Sequence, residues 1–269
     1  SGTFGTMKKI AQVMDTESEP ASGQPVPQVC SDIILDNVSF SYDGQRDVIK
    51  NLSAVIPAGS VTAIVGGNGA GKSTLFKLIT RLYEPESGRI LFDGKDISRY
   101  SLTGWRDRFS YVFQKNPLIC GTVRENITYG LDREVSEEEL VSTAKSSNCY
   151  DCIMEKPDGF DEDVGLGGSN FSGGQGQCIS IARAMLRGSD YLLLDEATSS
   201  LDVVSQSLVT GALDRLMDGK TTIMIAHNYA ATRTADYVIV MSAGTVEAAG
   251  TPAELLETNE YYRKFSKTV

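Results

Sequence analysis

The sequence is poor in histidine and tryptophan, with one of each, and its five cysteines are an odd number. Scattered cysteines fit a reducing compartment better than a disulfide framework. Cys149 and Cys152 have the spacing of redox and zinc motifs, so three interpretations stay open: buried thiols without a chemical role, a labile thiol pair, or a metal site. A zinc site needs about four ligands, and the single histidine, His227, has a different predicted use. Buried thiols are therefore the favoured interpretation.

Long apolar runs and excess positive charge are also missing. No window approaches the ~18 uninterrupted apolar residues of a membrane span, and no signal segment precedes the first strand. Acidic residues outnumber basic ones, 35 to 25, for a formal net charge of −10. Such a chain repels a nucleic-acid backbone unless its basic residues are segregated, and no basic run is present. We predict no nucleic-acid partner.

One glycine-rich stretch organises the rest of the chain. The apolar segment from Val61 to Val65 is followed by a run that matches the phosphate-binding loop pattern. Glycines let consecutive backbone N–H groups converge on phosphate oxygens, and a helix starting near Gly71 directs its positive end at the same charge. Lys72 would neutralise the outer phosphates, and Ser73 would ligate Mg²⁺. The predicted nucleoside triphosphate-binding residues are Gly66, Gly67, Asn68, Gly69, Ala70, Gly71, Lys72, Ser73 and Thr74.

Strand and helix patterns alternate along the chain. Ile33 to Phe40 alternates as a strand with Ile34, Val38 and Phe40 as inward positions, and further strands are predicted at 88–92, 109–113, 191–195, 221–226, 237–241 and 245–249. Between about residues 116 and 187, charged helical stretches replace the strands, which predicts an inserted helical subdomain. The alternation predicts an α/β fold with a largely parallel sheet covered on both faces. A short helix over 7–14 and a linker to about residue 30 precede it.

Polar residues follow two of the apolar strands. Asp195, at the end of the strand that begins at Tyr191, can hold Mg²⁺ in an oxygen-rich site, and Glu196 could polarise the water that attacks the terminal phosphate. His227 follows the strand over 221–226 and would reach the same sheet edge, where it could bond the terminal phosphate. Glu196, His227 and Lys72 are the catalytic candidates, and Asp195 is a candidate metal ligand.

Tyr42 ends the first strand, about two dozen residues before the phosphate-binding loop. An aromatic ring there can stack on a purine, because the base is a flat π surface. Tyr42 could equally extend the packed face of Phe40, because residues i and i+2 share a side of a strand. Spacing alone does not separate these two interpretations.

A second glycine-rich segment, Gly167 to Gln175, opens the helical run from Ile179 to Leu186. It is a second candidate anion-binding element, and one triphosphate does not readily need two such loops within one monomer. Either the second loop binds a different anion, or two copies of the chain meet head to tail and each completes the other's nucleotide site.

Taken together, these residues resemble the nucleotide-binding domain of an ATP-binding cassette (ABC) transporter, from about Ile33 to the C-terminus. Residues 66–73 are similar to the family's Walker A loop and residues 171–175 to its signature loop. Residues 192–195 resemble Walker B, with Glu196 as catalytic glutamate. By the same resemblance, Gln114 corresponds to the Q-loop glutamine and Asp202 lies in the D-loop over 199–202. His227 corresponds to the switch histidine, and Tyr42 to the aromatic residue that stacks on adenine.

The resemblance implies a RecA-like P-loop core with an antiparallel β subdomain and an α-helical subdomain, over residues 31–269. It implies ATP and Mg²⁺ as cofactors, with Ser73, Gln114 and Asp195 at the metal. Gln114 would also contact the nucleotide and count among the catalytic residues. The triphosphate of one chain would contact the other chain's Ser172, Gly173, Gly174 and Gln175, with Asp202 nearby. Gln114 would also relay closure of the dimer to membrane helices.

The segment from Gln114 to Ile127 resembles the corresponding segment of ABC exporters rather than that of ABC importers. We therefore expect an ATP-hydrolysing motor domain at the cytoplasmic face of a membrane. The expected partners are a second nucleotide-binding domain, identical or different, and a transmembrane domain fused upstream of residue 1.

Four positions depart from the exporter pattern. Leu166 and Gly167 replace a common Glu-Arg pair before the signature loop, in a segment implicated in contact with the membrane domain. Gly176 and Cys178 replace arginines just after that loop. The alternative function that these departures motivate is a regulatory or degenerate cassette that binds ATP with little hydrolysis.

Overall fold

The computed structural model describes residues 19, 22–113, 118–195 and 201–267, without the side chains of Val203 and Val204. Two predicted site residues, Gln114 and Glu196, lie outside these ranges, as does the predicted helix over 7–14. Their assignments stay predictions.

The described strands form two sheets. The smaller sheet is antiparallel and has the order β2-β1-β4-β5. Its strands are β1 (Ile33–Ser41), β2 (Asp47–Ile56), β4 (Ser87–Phe92) and β5 (Lys95–Asp96). The larger sheet has six strands, which are β3 (Val61–Gly66), β6 (Phe109–Val112), β7 (Tyr191–Asp195), β8 (Thr221–Ile225), β9 (Tyr237–Ser242) and β10 (Thr245–Gly250).

The larger sheet has the order β10-β9-β3-β8-β7-β6, and all its pairs are parallel except β9 with β10. The described helices are α1 (Lys72–Ile79), α2 (Leu102–Asp107), α3 (Val123–Thr128), α4 (Glu137–Ser146), α5 (Tyr150–Met154), α6 (Gly173–Arg187), α7 (Val203–Met217), α8 (Tyr229–Thr232), α9 (Pro252–Thr258) and α10 (Glu260–Phe265). The predicted α/β class, the largely parallel sheet and the antiparallel β portion are confirmed.

The six-stranded sheet has a hydrophobic core on each face. Alternate residues of a strand face opposite ways, and along β3 Ala63 and Val65 belong to one core while Ile64 belongs to the other. The first core contains residues of α3 to α7. The second contains residues of α1 and of the antiparallel sheet. The sheet therefore separates the helical layer from α1.

The helical layer occupies the region in which the sequence predicts an inserted helical subdomain. Within residues 118–187 the structure has helices α3 to α6 and no strand longer than an isolated bridge, Thr122 with Asp163. The boundaries at about 116 and 187 stay a prediction, because residues 114–117 are not described.

The antiparallel sheet contains two differences from the expected pattern. Ile34 is only partly buried, whereas Ile33 and Leu35 are buried, so the prediction of Ile34 as an inward position is wrong. The cause is a register shift between Leu35 and Val38, where Asn37 has a φ of 51°. Such a bulge changes which side of the strand faces the core. The sequence analysis also missed β2.

Asn126 holds the start of the helical layer together. Its side chain, on α3, is fully buried. Its Nδ2 donates to the carbonyls of Ile119 and Thr122, each at 2.9 Å, and its Oδ1 accepts from the Ile119 N–H at 2.9 Å and from Arg183 Nη2 at 2.8 Å. One amide thus joins the segment before α3 to the helix α6.

Replacement of Asn126 by Leu should lower the free energy of unfolding by about 3 kcal/mol, because buried partners lose their hydrogen bonds. Urea denaturation followed by circular dichroism measures the change. Asn126→Asp keeps both acceptor contacts but turns a carboxylate oxygen toward the carbonyls of Ile119 and Thr122, so it should also lower the free energy of unfolding. A loss below about 1 kcal/mol for Asn126→Leu would contradict this role.

Candidate functional site

The carboxyl ends of β3, β7 and β8 lie at one edge of the sheet, because these strands are parallel. Ile64 of β3 pairs with Ile225 of β8, which pairs with Asp195 of β7. Asp195 therefore lies two strands away from β3. It is level with Ile64, which is two residues before the first residue of the phosphate-binding loop. Ligands of open α/β sheets bind at this edge. The phosphate-binding loop, Asp195 and His227 are brought together there.

The phosphate-binding loop is closely packed at its glycines. A Cβ on Gly66 would lie 2.3 Å from the carbonyl oxygen of Met241, and a Cβ on Gly71 would lie 2.6 Å from Cδ1 of Ile49. Gly69 and Gly71 also have φ values of 77° and 99°, which side chains rarely adopt. Helix α1 begins directly after Gly71, as the sequence predicts.

Lys72 folds back over the loop. Its Nζ donates to the carbonyls of Gly66 at 2.7 Å and Gly67 at 3.0 Å, and the residue is only 6% exposed. The ammonium is thus held within the loop whose backbone would surround the phosphates. Ser73 is exposed at the first turn of α1, whereas Thr74 is buried.

Tyr42 lies immediately after β1, close to α1. Its hydroxyl is 3.0 Å from Oγ1 of Thr74, and its ring centre is 4.9 Å from that of Phe40 in an edge-on arrangement. The residue is nevertheless 47% exposed. Tyr42 therefore packs against Phe40 and still keeps surface for a stacked base, so the two interpretations of the sequence are compatible. Base stacking by Tyr42 stays a prediction.

Asp195 acts electrostatically on the neighbouring strand β6. Burial and, secondarily, the Asp195 carboxylate raise the pKa of Tyr111 well above its usual value. The Ser73 hydroxyl and the Asp195 carboxylate are the hard oxygen donors that Mg²⁺ prefers. No group of three or more His, Cys, Asp or Glu residues with metal-site geometry occurs within the described ranges. A single carboxylate and a hydroxyl fit a Mg²⁺ that takes its remaining ligands from phosphates and water.

His227 is exposed and follows β8 by two residues. It borders a cavity of about 290 Å³ between α7 and α8, with Leu194, Met224, Asn228 and Ala231 among the lining residues. The structure therefore places His227 at the edge where Asp195 ends its strand. Its bond to a terminal phosphate stays a prediction.

The second glycine-rich loop forms the first turn of α6. The Ser172 hydroxyl accepts from the Gln175 N–H at 3.3 Å, and Gln175 Oε1 accepts from the Ser172 N–H at 2.9 Å. This capping box starts the helix at Gly173. A Cβ on Gly174 would lie 2.5 Å from Cβ of Ser205, so only glycine permits the close approach of α6 to α7.

Asp202 lies at the start of α7. Its Oδ1 accepts from the Ser205 N–H at 3.0 Å, which is the geometry of a helix N-cap. Because Ser205 is also the residue against Gly174, Asp202 lies beside the second loop rather than at the phosphate-binding loop. Its contact with a nucleotide stays a prediction.

The two glycine-rich loops belong to helices on opposite faces of the six-stranded sheet. Phe171, Cys178 and Ile179 around the second loop belong to the first core, whereas Leu75 and Phe76 of α1 belong to the second. The helices that carry the predicted signature residues and the phosphate-binding loop thus pack into different cores.

The cysteine positions help to distinguish the three interpretations of Cys149 and Cys152, which are buried thiols, a labile thiol pair and a metal site. All five cysteines are free thiols; Cys149 and Cys178 are buried, and Cys152 is partly buried. Burial raises the pKa of Cys149 and of Cys178 to about 12. The Cys152 thiol donates to the Cys149 carbonyl at 3.1 Å. These contacts are those of buried, protonated thiols.

Two residues that the sequence analysis missed contact Tyr42. Nζ of Lys77 donates to the Tyr42 hydroxyl at 3.2 Å, and the Tyr83 ring centre lies 5.1 Å from that of Tyr42. The sequence did contain one signal for Lys77. Thr74 and Lys77 are three residues apart on α1, so they share a face of the helix.

The fold and site define a P-loop nucleotide-binding protein. A family model described as ABC transporter matches residues 49–199, more than half of the chain. The chain belongs to the ABC transporter family. Members of this family bind ATP through such domains, and the domains are in general ATPases.

Relatives and solved structures agree with this membership. The chain is 42% identical over 92% of its length to an uncharacterised ABC transporter ATP-binding protein of Sinorhizobium fredii, of which it covers 42%. It is 42% identical over 88% of its length to an ATP-dependent lipid A-core flippase of Syntrophus aciditrophicus, of which it covers 39%. A bacterial Atm1-family ABC exporter solved with ATP bound has a TM-score of 0.87 and 34% identity, over 96% of this chain and 46% of that one.

The chain thus spans less than half the length of these relatives. In the parts of the chain that the structure describes, no helix has the length and apolar character needed to cross a membrane.

The crowding at Gly66 predicts a matched pair of variants. Gly66→Ala forces a Cβ against the Met241 backbone and should lower the free energy of unfolding by about 2 kcal/mol or more. Gly67→Ala meets no atom within 4 Å and should change it by less than about 0.5 kcal/mol. Thermal or urea unfolding without nucleotide measures both. Equal losses would contradict the described packing of the loop.

Proposed function

We propose that this chain binds and hydrolyses ATP as the motor domain of an exporter. Two nucleotide-binding domains would join head to tail around two ATP–Mg²⁺, and a transmembrane domain of the same protein would carry the substrate. The names of the relatives support export, because they include a lipid A-core flippase and an Atm1-family exporter.

The observation that carries the proposal is the position of the two glycine-rich loops on opposite faces of the sheet. Both loops open helices and offer backbone N–H groups to an anion. Because α1 and α6 pack against opposite faces of the sheet, we assign the triphosphate to Lys72 of one chain and to Ser172 of the other. A second chain, placed head to tail, would supply its own Ser172 and Gly173. The site is therefore expected to be completed by a partner.

The residues at the sheet edge support hydrolysis. Lys72 would exchange the carbonyls of Gly66 and Gly67 for the outer phosphate oxygens, which keeps its charge paired in both states. Ser73 and Asp195 would hold Mg²⁺, which when bound neutralises charge on the phosphates. Glu196 would orient and polarise the attacking water, and His227 would hold the terminal phosphate in register.

Gln114 is assigned to the same site by the family resemblance. It would sense the metal and the attacking water and relay closure to the membrane domain. Tyr42, immediately after β1 of the antiparallel sheet, would supply the surface on which adenine stacks.

The variant Glu196→Gln tests the proposal. It should bind ATP as the unchanged chain does but hydrolyse it at least about a hundredfold more slowly, because it lacks the general base. A stalled dimer should then accumulate with ATP and Mg²⁺. Gel filtration detects the dimer, and phosphate release measures turnover.

Lys72→Ala is the control, since it should neither bind ATP tightly nor form the dimer. An unchanged turnover in Glu196→Gln would contradict the assignment of Glu196. A dimer that forms equally in Lys72→Ala or without ATP would contradict nucleotide-driven association. If the native partner is a different chain, the same assays apply to the mixture.

A further inference from the structure

Lys77 is not part of any motif used above, yet its side chain reaches the proposed base-stacking residue. It lies on the second turn of α1, four residues after Ser73, and is partly buried. Its Nζ donates to the Tyr42 hydroxyl at 3.2 Å and lies 5.1 Å from the centre of the Tyr42 ring and 5.7 Å from that of Tyr83. The ammonium therefore lies between two aromatic rings, within the range of cation–π attraction.

The Tyr42 hydroxyl is held by two side chains of the same helix. Oγ1 of Thr74 lies 3.0 Å from it, and Nζ of Lys77 approaches it at 3.2 Å. Because the ammonium can only donate, the hydroxyl accepts from Lys77 and is free to donate its own proton to Thr74. Both contacts originate on α1, which starts at the phosphate-binding loop.

The backbone of Lys77 also fixes Tyr83. Its carbonyl accepts from the N–H groups of Leu82 at 2.8 Å and Tyr83 at 3.3 Å, in a turn where Arg81 has a φ of 55°. The Tyr83 ring is then nearly perpendicular to that of Tyr42, at an interplanar angle of 89°. Lys77 thus supports Tyr42 directly through its ammonium and indirectly through Tyr83.

We propose that Lys77 is a positioning residue that fixes the Tyr42 ring for the base of the nucleotide. One rigid helix would then set the distance between the two ends of the ligand, with Lys72 and Ser73 at the phosphates and Thr74 and Lys77 at the base-stacking ring. This inference rests on the proposed function, in which Tyr42 stacks on adenine.

A residue that positions the ring should affect ligands with a base and spare ligands without one. The test therefore compares ATP with inorganic tripolyphosphate, each with Mg²⁺, by isothermal titration calorimetry of the full chain. Lys77→Met keeps the aliphatic part of the side chain and removes the ammonium. We expect it to weaken ATP binding about fivefold and tripolyphosphate binding less than about twofold.

Tyr42→Phe removes only the hydroxyl that Lys77 contacts. It should weaken ATP binding to a similar extent, and the double variant should be little weaker than either single one, because both changes break the same contact. Lys77→Arg retains a cation near the rings and should recover part of the affinity. In turnover assays, Lys77→Met should raise KM for ATP and leave kcat unchanged.

Lys95→Met is the matched control, since it removes one exposed positive charge from β5, at the far end of the antiparallel sheet. It should leave both affinities unchanged. Thermal unfolding of each variant without ligand identifies any general loss of structure.

The outcomes separate this inference from the proposed function. Equal weakening of ATP and tripolyphosphate in Lys77→Met would overturn it, because Lys77 would then act as a phosphate-binding charge. Unchanged ATP binding, or additive effects of Lys77→Met and Tyr42→Phe, would overturn it as well. If the unchanged chain bound no ATP, the proposed function itself would fail.

Discussion

The six-stranded sheet is the constraint on which the rest of the site depends. Its parallel strands bring the phosphate-binding loop, Asp195 and His227 to one edge. Its two faces keep α1 and α6 apart, each in its own hydrophobic core. The same sheet therefore brings the predicted phosphate and metal residues together and has the second glycine-rich loop on the helix of its other face. In the proposed dimer, the need for a partner chain would follow from the layering of the fold rather than from any single residue.

Helix α1 links the two ends of the proposed ligand. Its first residues, Lys72 and Ser73, belong to the phosphate-binding loop, while Thr74 and Lys77 contact Tyr42 of the antiparallel sheet. The antiparallel sheet shares the second core with α1, so the position of Tyr42 is set by packing as well as by hydrogen bonds. A ligand that spans the phosphate-binding loop and the aromatic ring, as proposed, would thus contact a single packed unit.

Much of this arrangement could be predicted from the sequence because local patterns determine it. The strands β3, β7 and β8 are continuous apolar runs, and each is followed by the polar or glycine-rich residues of the site. By contrast, β2 alternates irregularly between exposed and buried residues, with the pattern broken by Lys50, Asn51 and Ser53. Its position depends on antiparallel pairing with β1 across a short turn, and the register shifts in that pairing are not visible in a local pattern.

The inward face of β1 was misassigned at Ile34 for a related reason. A bulge at Asn37 is a backbone irregularity without a strong sequence signal, since asparagine is only modestly favoured at positive φ. The contacts of Lys77 were missed because a single lysine within a helix has no distinguishing sequence pattern. Its contacts with Tyr42 and Tyr83 appear only when β1 and α1 are placed together in three dimensions.

The contact between α6 and α7 gives the second loop a connection to the sheet edge within its own chain. Gly174 packs against Ser205 without room for a Cβ, and Ser205 is held by Asp202 at the N-cap of α7. The chain reaches α7 from Asp195 at the end of β7, through a short segment that includes Glu196. Because interiors are close-packed, a displacement of the Gly174 turn must be accommodated at the start of α7. In the proposed dimer, the loop that contacts the partner's nucleotide is therefore adjacent in structure to the segment that follows its own metal-binding carboxylate.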